Sequence, residues 1–414
     1  MSKHPTEDCE RGLSSEKAAD ENGNAIPTAQ KINATQYEGD AKLSYLKEAV
    51  IILQDQWFLI ALGLLIAFSS QIQVPLAQQQ VKQTVVSYLC ISLIFFVTGC
   101  TLDTKTLLAS YSRWKIHLFV QAQCYIMTSL VVLAVVSATA TSRFMDPGLL
   151  VGLIFQSCVA TTISSNVVMT RQAHGNIALT VVQTTLGNFI GVFVTPALVV
   201  AYSAIPTWYN RTLPTTSDDF TPIYRRTLMK LGFSIYVPIV AGQVARNLFP
   251  ETCKKLFVDW KMNKLGSFCL LVLLWSTYDQ AFASDAFDTV PASNKIFIVF
   301  ISVALWLLFF GIAFFTSNLW LPRADTVAIC YCVPAKGIVM AVPLTTTIWH
   351  GLDLDLQSRL QIPIVIYQGL QLAFASILLP IFRRWVDAEE ERKKREEQSV
   401  GETQDVIRVE ESKA

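Results

Sequence analysis

What this chain has little of, over most of its length, is charge. Asp, Glu, Lys and Arg make up 16% of its 414 residues, where soluble domains carry roughly a quarter. That shortage excludes an ordinary soluble domain, and a mean hydropathy of +0.40 agrees. Histidine is scarcer still: His117, His174 and His350 are scattered at the ends of apolar segments, which argues against a histidine metal site. Seven of the nine cysteines (Cys90, Cys100, Cys124, Cys158, Cys269, Cys330 and Cys332) lie inside apolar segments. Their spacing fits neither a metal centre nor a disulfide framework, so no metal and no cofactor are expected. There is no HExxH, no GxSxG and no aspartate pair within the apolar segments, so an enzyme is not expected. Asp279 and Asp285, six residues apart, are expected at the outer interface. A net charge of +1 gives no reason to expect nucleic acid. The first 48 residues hold no apolar h-region, so no N-terminal signal peptide is expected.

Long apolar runs are what the chain does have. Ten reach the length a bilayer requires: Gln56–Ile72, Thr84–Leu102, Ile116–Ala138, Gly148–Thr170, Asn176–Ala204, Leu228–Phe249, Leu265–Ser284, Ile296–Trp320, Thr326–Trp349 and Ile362–Trp385. The sixth is shortened by Lys230 and Arg246, and Asp279 interrupts the seventh. Before the first span, residues 1–55 are polar and read as a disordered cytosolic tail. After the last, residues 386–414 form a mixed-charge cytosolic tail, helical at first, through Arg395.

Lysine and arginine set the orientation. With both tails inside, the loops at 103–115, 171–174, 246–264 and 323, with the C-terminal flank to Arg395, hold sixteen. The opposite loops hold eight: Lys82, Arg143, Arg211, Arg225, Arg226, Lys230, Lys295 and Arg359. The excess belongs in the cytosol. This topology puts the sequon Asn210-Arg211-Thr212 outside, making Asn210 a glycosylation candidate, and leaves Asn33-Ala34-Thr35 silent in the tail.

The ten spans divide five and five, as residues 56–204 and 228–385 around an outer loop at 205–227. An odd number per half requires the halves to insert in opposite directions. Inverted repeats with a disrupted helix at one position in each half belong to secondary transporters. The ninth span is broken by Pro334-Ala335-Lys336-Gly337, because proline removes a helical hydrogen bond and glycine relaxes the backbone. In lipid, such a break is tolerated only against protein or a wet cavity. Lys336 has ten uncharged residues before it and sixteen after. An intramembrane lysine of this kind marks a functional path more readily than a snorkelling side chain beside a kink. The fourth span carries the most polar run, Thr161-Thr162-Ile163-Ser164-Ser165-Asn166. The two breaks share register, Cys158-Val159 beside Cys332-Val333.

One or two of these hydroxyls could simply bond back to helix carbonyls; five polar residues in six exceed that explanation. The fifth span adds Thr180, Gln183, Thr184 and Asn188, with Thr180 and Thr184 on one helical face, and Gln121 and Gln123 add amides from the third. The expected site is therefore wet and oxygen-rich, with Lys336 as its cation. The helix beginning at Gly337 aims its positive end at the crossing. Together these favour an anionic or neutral polar solute, with Lys336 setting the charge preference.

These residues carry a resemblance. Gly99-Cys100-Thr101-Leu102, Thr161-Thr162-Ile163-Ser164-Ser165-Asn166, His174-Gly175-Asn176-Ile177-Ala178-Leu179-Thr180 and the stretch from Pro334 to Pro343 resemble the bile acid:sodium symporter superfamily. They are similar in particular to its branch of sodium/bile acid cotransporter 7, whose fungal members are named for regulating calcium homeostasis. The likeness covers about residues 50–390. It implies an all-α polytopic fold of ten transmembrane helices in two inverted five-helix repeats. A panel domain is made of the first two spans of each half and a core domain of the rest, with broken helices four and nine crossing in the core. By motif, Ser165, Asn166, Thr180 and Thr184 are similar to ligands of one cation site in sodium-coupled relatives, and Gln123 to the third-span contribution to a second. Thr161, Thr162, Pro334, Lys336 and Gly337 belong to the same crossing. The chain departs from that pattern by having no carboxylate between Thr326 and Leu352. Opposite unit charges about 4 Å apart interact by about 4 kcal/mol at an effective dielectric near 20, so exchanging an acid for a lysine argues against sodium coupling.

The expectation is a secondary solute carrier that lowers calcium influx indirectly, because calcium binding requires clustered oxygen ligands with carboxylates among them. Its partners are a small-molecule or ion substrate, anionic by this reading, membrane lipid and a calcium-channel partner. The plasma membrane is the expected location, with an endomembrane as the alternative. The alternative functions are a non-transporting regulator of a calcium entry channel and a sodium-independent organic anion carrier without a calcium role.

Overall fold

Apolar residues with no strand-like alternation predict helices, and the computed structural model is helical, with no strand among the described residues, which are 57–101, 112–213, 221–260, 262, 264–348 and 352–411. The expectations for residues 1–55, including the Asn33 sequon, fall outside them. The chain opens with α1 (Trp57–Gln71) and α2 (Leu76–Thr101). The third span is α3 (Trp114–Ala122), a π turn at Gln123–Met127 and α4 (Thr128–Thr139). The fourth comprises α5 (Pro147–Cys158) and α6 (Ser164–Gln172), and α7 (Ile177–Ser203) completes the first half. The second half holds α8 (Thr221–Leu248), α9 (Pro250–Lys254), α10 (Lys264–Ala283), α11 (Ala286–Thr289) and α12 (Ala292–Asn318). It ends with α13 (Arg323–Cys332), α14 (Ile338–Ile348) and the long α15 (Leu354–Glu411).

Six of the described helices are long and apolar enough to cross a membrane: Leu76–Thr101, Trp114–Ser142, Ile177–Ser203, Leu228–Leu248, Ala292–Asn318 and Leu354–Glu396. Large apolar side chains such as Leu64, Phe233, Phe300 and Phe315 are exposed on them and on α1. A water-soluble surface rarely tolerates that much contiguous apolar area. The remaining expected spans are short, as in α1, broken in two, or made polar by Asp279.

Local chemistry explains the ends. Asp146 caps α5, accepting from the amides of Gly148 and Leu149 with Pro147 at the first helical position. Arg359 of α15 holds the other oxygen of Asp146 at 2.8 Å, and Asn294 of α12 accepts from the Asp146 amide. At the opposite end of the bundle, Asn176 caps α7 and donates to Asp325, which Arg113 also binds at 2.6 Å. The turn before it closes through His174 at φ 57°, whose ring nitrogen meets Asp387 of α15. The mixed-charge C-terminal segment is helical, and the helix runs past Arg395 to Glu411.

Small residues set the closest helix approaches. A Cβ on Gly99 of α2 would lie 2.4 Å from the Ile239 carbonyl of α8, and one on Gly242 would lie 2.4 Å from the Phe96 carbonyl.

Two expectations at the second and seventh spans need correction. Helix α2 starts at Leu76, eight residues before Thr84, so Lys82 is a helical residue rather than part of a loop. Asp279, expected at the outer interface, is fully buried within the protein and ion-paired with Lys82. Gln79 donates to the same carboxylate at 2.8 Å and the Val74 amide to its other oxygen at 3.0 Å. Lys82 also donates to the Ser276 carbonyl and lies over the Trp275 ring. The pairing is what allows a glutamine-rich, charged turn to enter the helix bundle. Removing one member strands the other, at a cost of about 3–5 kcal/mol. Asp279→Ala is therefore expected to lower the melting temperature sharply. Lys82→Met with Asp279→Leu should recover most of the loss, as read by fluorescence-detected thermal unfolding in detergent.

Candidate functional site

Two helices stop inside the bundle, and each leaves C-terminal carbonyls without intrahelical partners. Helix α5 ends at Cys158 and α6 begins at Ser164; α13 ends at Cys332 and α14 begins at Ile338. The extended pieces between them lie against each other. The Gly337 amide donates to the Ala160 carbonyl at 2.7 Å, and a Cβ on Gly337 would come within 3.2 Å of that oxygen. A side chain here would need the two backbones to give by a few tenths of an ångström, which glycine avoids.

Each break supplies donors for the other. The Thr161 hydroxyl donates to the Cys332 carbonyl at 2.7 Å, closing the end of α13. The Lys336 ammonium donates to the carbonyls of Ser157 (2.8 Å) and Val159 (3.3 Å), closing the end of α5. It also donates to the Cys124 carbonyl (2.5 Å) and the Thr128 hydroxyl (2.9 Å) at the π turn. The lysine is 3% exposed. This corrects the expectation that Lys336 presents its charge to a solute: the ammonium is turned into a cage of protein oxygens. The amide of Gly337 is likewise engaged, by Ala160.

The other expected residues divide into two groups. Thr162 and Ser165 share a short hydroxyl–hydroxyl contact, Thr162 donates to the Asn166 amide oxygen at 3.1 Å, and Asn166 donates to Thr161 at 2.7 Å. Thr161, Thr162, Ser165 and Gly337 line a cavity of about 20 Å³ with Asn188 and Gln368. Its size admits about one water-sized species. A second cavity on the other side of the crossing is lined by Ser165, Asn166, Pro334 and Ala335, with Trp306 and Tyr331. Thr180 and Thr184 are buried but outside both: Thr180 donates to Thr170 at 3.0 Å and Thr184 to the Val181 carbonyl. Gln123 donates to Thr316 of α12 at 2.9 Å, away from the breaks. Asn210 lies in a 3-10 turn at Asn210–Thr212, where its side-chain amide donates to the Tyr202 and Ile205 carbonyls.

Sequence reasoning missed the residues of α15 that hold the second break. Gln371 accepts from the Lys336 amide at 2.8 Å and donates to the Lys336 carbonyl at 3.0 Å. Tyr367 donates to the Pro334 carbonyl at 2.7 Å. Gln368 is buried, accepts from Gln371, has an amide nitrogen without a partner and lines the first cavity. Two glutamines three residues apart in an apolar helix were the available signal.

A many-spanning helical protein with a polar cavity where two interrupted helices meet has the build of a membrane transporter. The comparisons agree: the chain belongs to the SBF-like CPA transporter family, which it matches over residues 56–384. It is 32% identical over 394 residues to a protein of Candida albicans called solute carrier RCH1, covering 86% of this chain and 95% of that one. It is 28% identical over 392 residues to the solute carrier RCH1 of Saccharomyces cerevisiae, covering 86% and 89%. It is 26% identical over 342 residues to sodium/bile acid cotransporter 7 of Danio rerio, covering 81% and 95%. The chain is accordingly a multi-pass membrane protein of a transporter family, and its substrate is a small molecule or an ion.

The crossing has a direct test. In a chain whose native cysteines are replaced, Asn166→Cys with Ala335→Cys, two positions that line one cavity, should join through a short bifunctional thiol reagent and speed the band on a denaturing gel, because the closed loop compacts the unfolded chain. Protein that crosslinks at Asn176→Cys with Ala324→Cys, whose backbones share a 2.9 Å hydrogen bond, but not at the crossing pair, would have its two broken helices apart.

Proposed function

We propose that the chain is a sodium-independent secondary carrier for a small polar solute, which it binds where the broken fourth and ninth spans meet. In this reading the protein has ten transmembrane helices in two inverted five-helix repeats, residues 56–204 and 228–385, divided into panel and core domains. The carrying observation is the cavity, which has room for about one water in this conformation and must widen to take the solute. Its polar lining comes from Thr161, Thr162, Ser165, Asn188 and Gln368, none of them charged. Gln368 brings to it a buried amide nitrogen without a partner. With the Lys336 charge consumed by carbonyls, recognition falls to hydrogen bonding. The expected anion preference loses its main support, and neutral polar solutes stand beside anions. The absence of a carboxylate from the lining speaks against sodium as the coupling ion, although sodium stands in the name of the cotransporter 7 relatives.

The calcium role implied by the resemblance is indirect in this reading. Among the described residues no three His, Cys, Asp or Glu side chains come together as a metal-holding group, and calcium is usually held by several oxygen ligands including carboxylates. The carrier would lower calcium influx through a calcium-entry protein of the same membrane. The lysine and arginine asymmetry supports both termini in the cytosol, and the plasma membrane fits a role in calcium entry.

Purified protein in liposomes tests both statements. Radiolabelled taurocholate and a panel of small organic anions and polar neutral solutes are presented in sodium and then in choline buffer. At least one member should enter at the same rate in both. Gln368→Leu should slow it about tenfold, the effect of losing about 1.4 kcal/mol of binding. A trapped calcium dye should stay dark. Strong sodium stimulation overturns the coupling statement, and dye signal abolished by Asn166→Leu overturns the indirect calcium role. A panel in which nothing moves favours a non-transporting regulator.

A further inference from the structure

The surroundings of Lys336 are those of a bound cation rather than of a hydrogen-bonding side chain in a network. Four oxygens face the nitrogen: the carbonyls of Cys124, Ser157 and Val159 and the hydroxyl of Thr128, at 2.5, 2.8, 3.3 and 2.9 Å. None of the three carbonyls has a proton to give. The Thr128 hydroxyl spends its own proton on the Cys124 carbonyl at 2.6 Å, so toward Lys336 it can only accept. The nitrogen therefore meets acceptors alone, which suits an ammonium and leaves no role for an amine lone pair.

The oxygens are present for structural reasons that do not involve the lysine. Ser157 lies in the last turn of α5 and Val159 just beyond it, where carbonyls have no intrahelical partner and the helix dipole is negative. Cys124 lies in the π turn that interrupts the third span. The cage is thus a feature of the backbone of spans three and four, and the ninth span only delivers the charge that fills it. The distances are those of N–H···O bonds, about 2.7–3.2 Å, and most exceed the 2.3–2.6 Å of calcium–oxygen bonds.

We propose that this cage is a monovalent-cation site of ammonium or potassium size, filled by the protein's own lysine. The tethered charge takes the place of an ion from solution, so spans three, four and nine are held together without one. The geometry of the cage carries this inference, and stability rather than transport reads it out, so it stands or falls separately from the carrier assignment.

The test uses two variants of the full-length chain. Lys336→Ala removes the ammonium together with its stem and opens room for a cation at the cage. Lys336→Met removes the charge but fills the stem, leaving the oxygens unpaired and the room blocked. Each variant and the unaltered protein are purified in detergent with choline as the only small cation. They are then melted in rising ammonium, methylammonium, potassium, sodium and calcium chlorides, at ionic strength balanced with choline. A ligand that binds only the folded state raises the melting temperature with its concentration. Lys336→Ala should melt below the unaltered protein in choline and regain several degrees, saturably, in ammonium, methylammonium or potassium, with sodium weaker and calcium without effect. Lys336→Met and the unaltered protein should show no such gain, and adding Thr128→Ala to Lys336→Ala should weaken it.

Equal melting of Lys336→Ala in all the salts overturns the proposal. So does a gain shared by Lys336→Met, which marks a general salt effect, or a gain produced best by calcium. If Lys336→Ala cannot be recovered folded from cells, it is extracted directly into each salt. Recovery of folded protein in ammonium or potassium and not in choline then supports the cage, and recovery in none of them overturns it.

Discussion

Everything at the centre of this protein follows from one requirement, that backbone groups exposed by breaking a helix inside a membrane must find partners within the protein. Breaking two helices at one level creates two sets of orphan carbonyls and two sets of orphan amides. The chain solves both together by laying the breaks against each other. Thr161 closes α13, Lys336 closes α5, and the Gly337 amide meets the Ala160 carbonyl. Gln371 and Tyr367 of α15 take up backbone groups that remain at Pro334 and Lys336. A polar interior results in which the broken ends are satisfied by one another, and the buried Gln368 amide nitrogen beside the small cavity is left without a partner.

The same accounting explains why charge is admitted at two of the buried places, around Lys82 and at Lys336, and how each is neutralised. At Lys82 the partner is a carboxylate, Asp279, and two neutral donors share the load. At Lys336 there is no carboxylate, and the negative end of a helix with three carbonyls does the work. The first arrangement is a fixed ion pair between α2 and α10. The second ties the ninth span to two others through groups that every sequence possesses, so its specificity lies in backbone shape.

Much of this was legible in the sequence, and the failures share a cause. Span positions followed from hydropathy, because length and apolar content are local. Both breaks were visible, one from proline and glycine and the other from a run of hydroxyls. The start of α2 was not, since Gln78-Gln79-Gln80 and Lys82 look like a loop until Asp279, some two hundred residues away, is brought beside them. The position of Lys336 could be read, but not the direction of its side chain, which depends on where the carbonyls of the third and fourth spans end up. Thr180 and Thr184 share a helical face as expected, yet they part company: Thr180 bonds Thr170 and meets the Cys332 thiol at the end of α13, while Thr184 bonds back to the Val181 carbonyl. Periodicity can place residues on one face and says nothing about how far that face lies from the next helix.

Helix α15 has one mechanical consequence. It is continuous from Leu354 to Glu411, and it carries the Gln371 clamp in its first third. Farther along, Asp387 meets His174, and Glu389 accepts from the backbone amide of Arg323 at the start of α13. At about 1.5 Å per residue, Gln371 and Glu389 are about 27 Å apart along the helix, with Pro380 between them, where a helical hydrogen bond is missing. The charged end and the Gln371 clamp belong to one helix, so whatever grips the far end of α15 would reach the broken ninth span through a joint at Pro380.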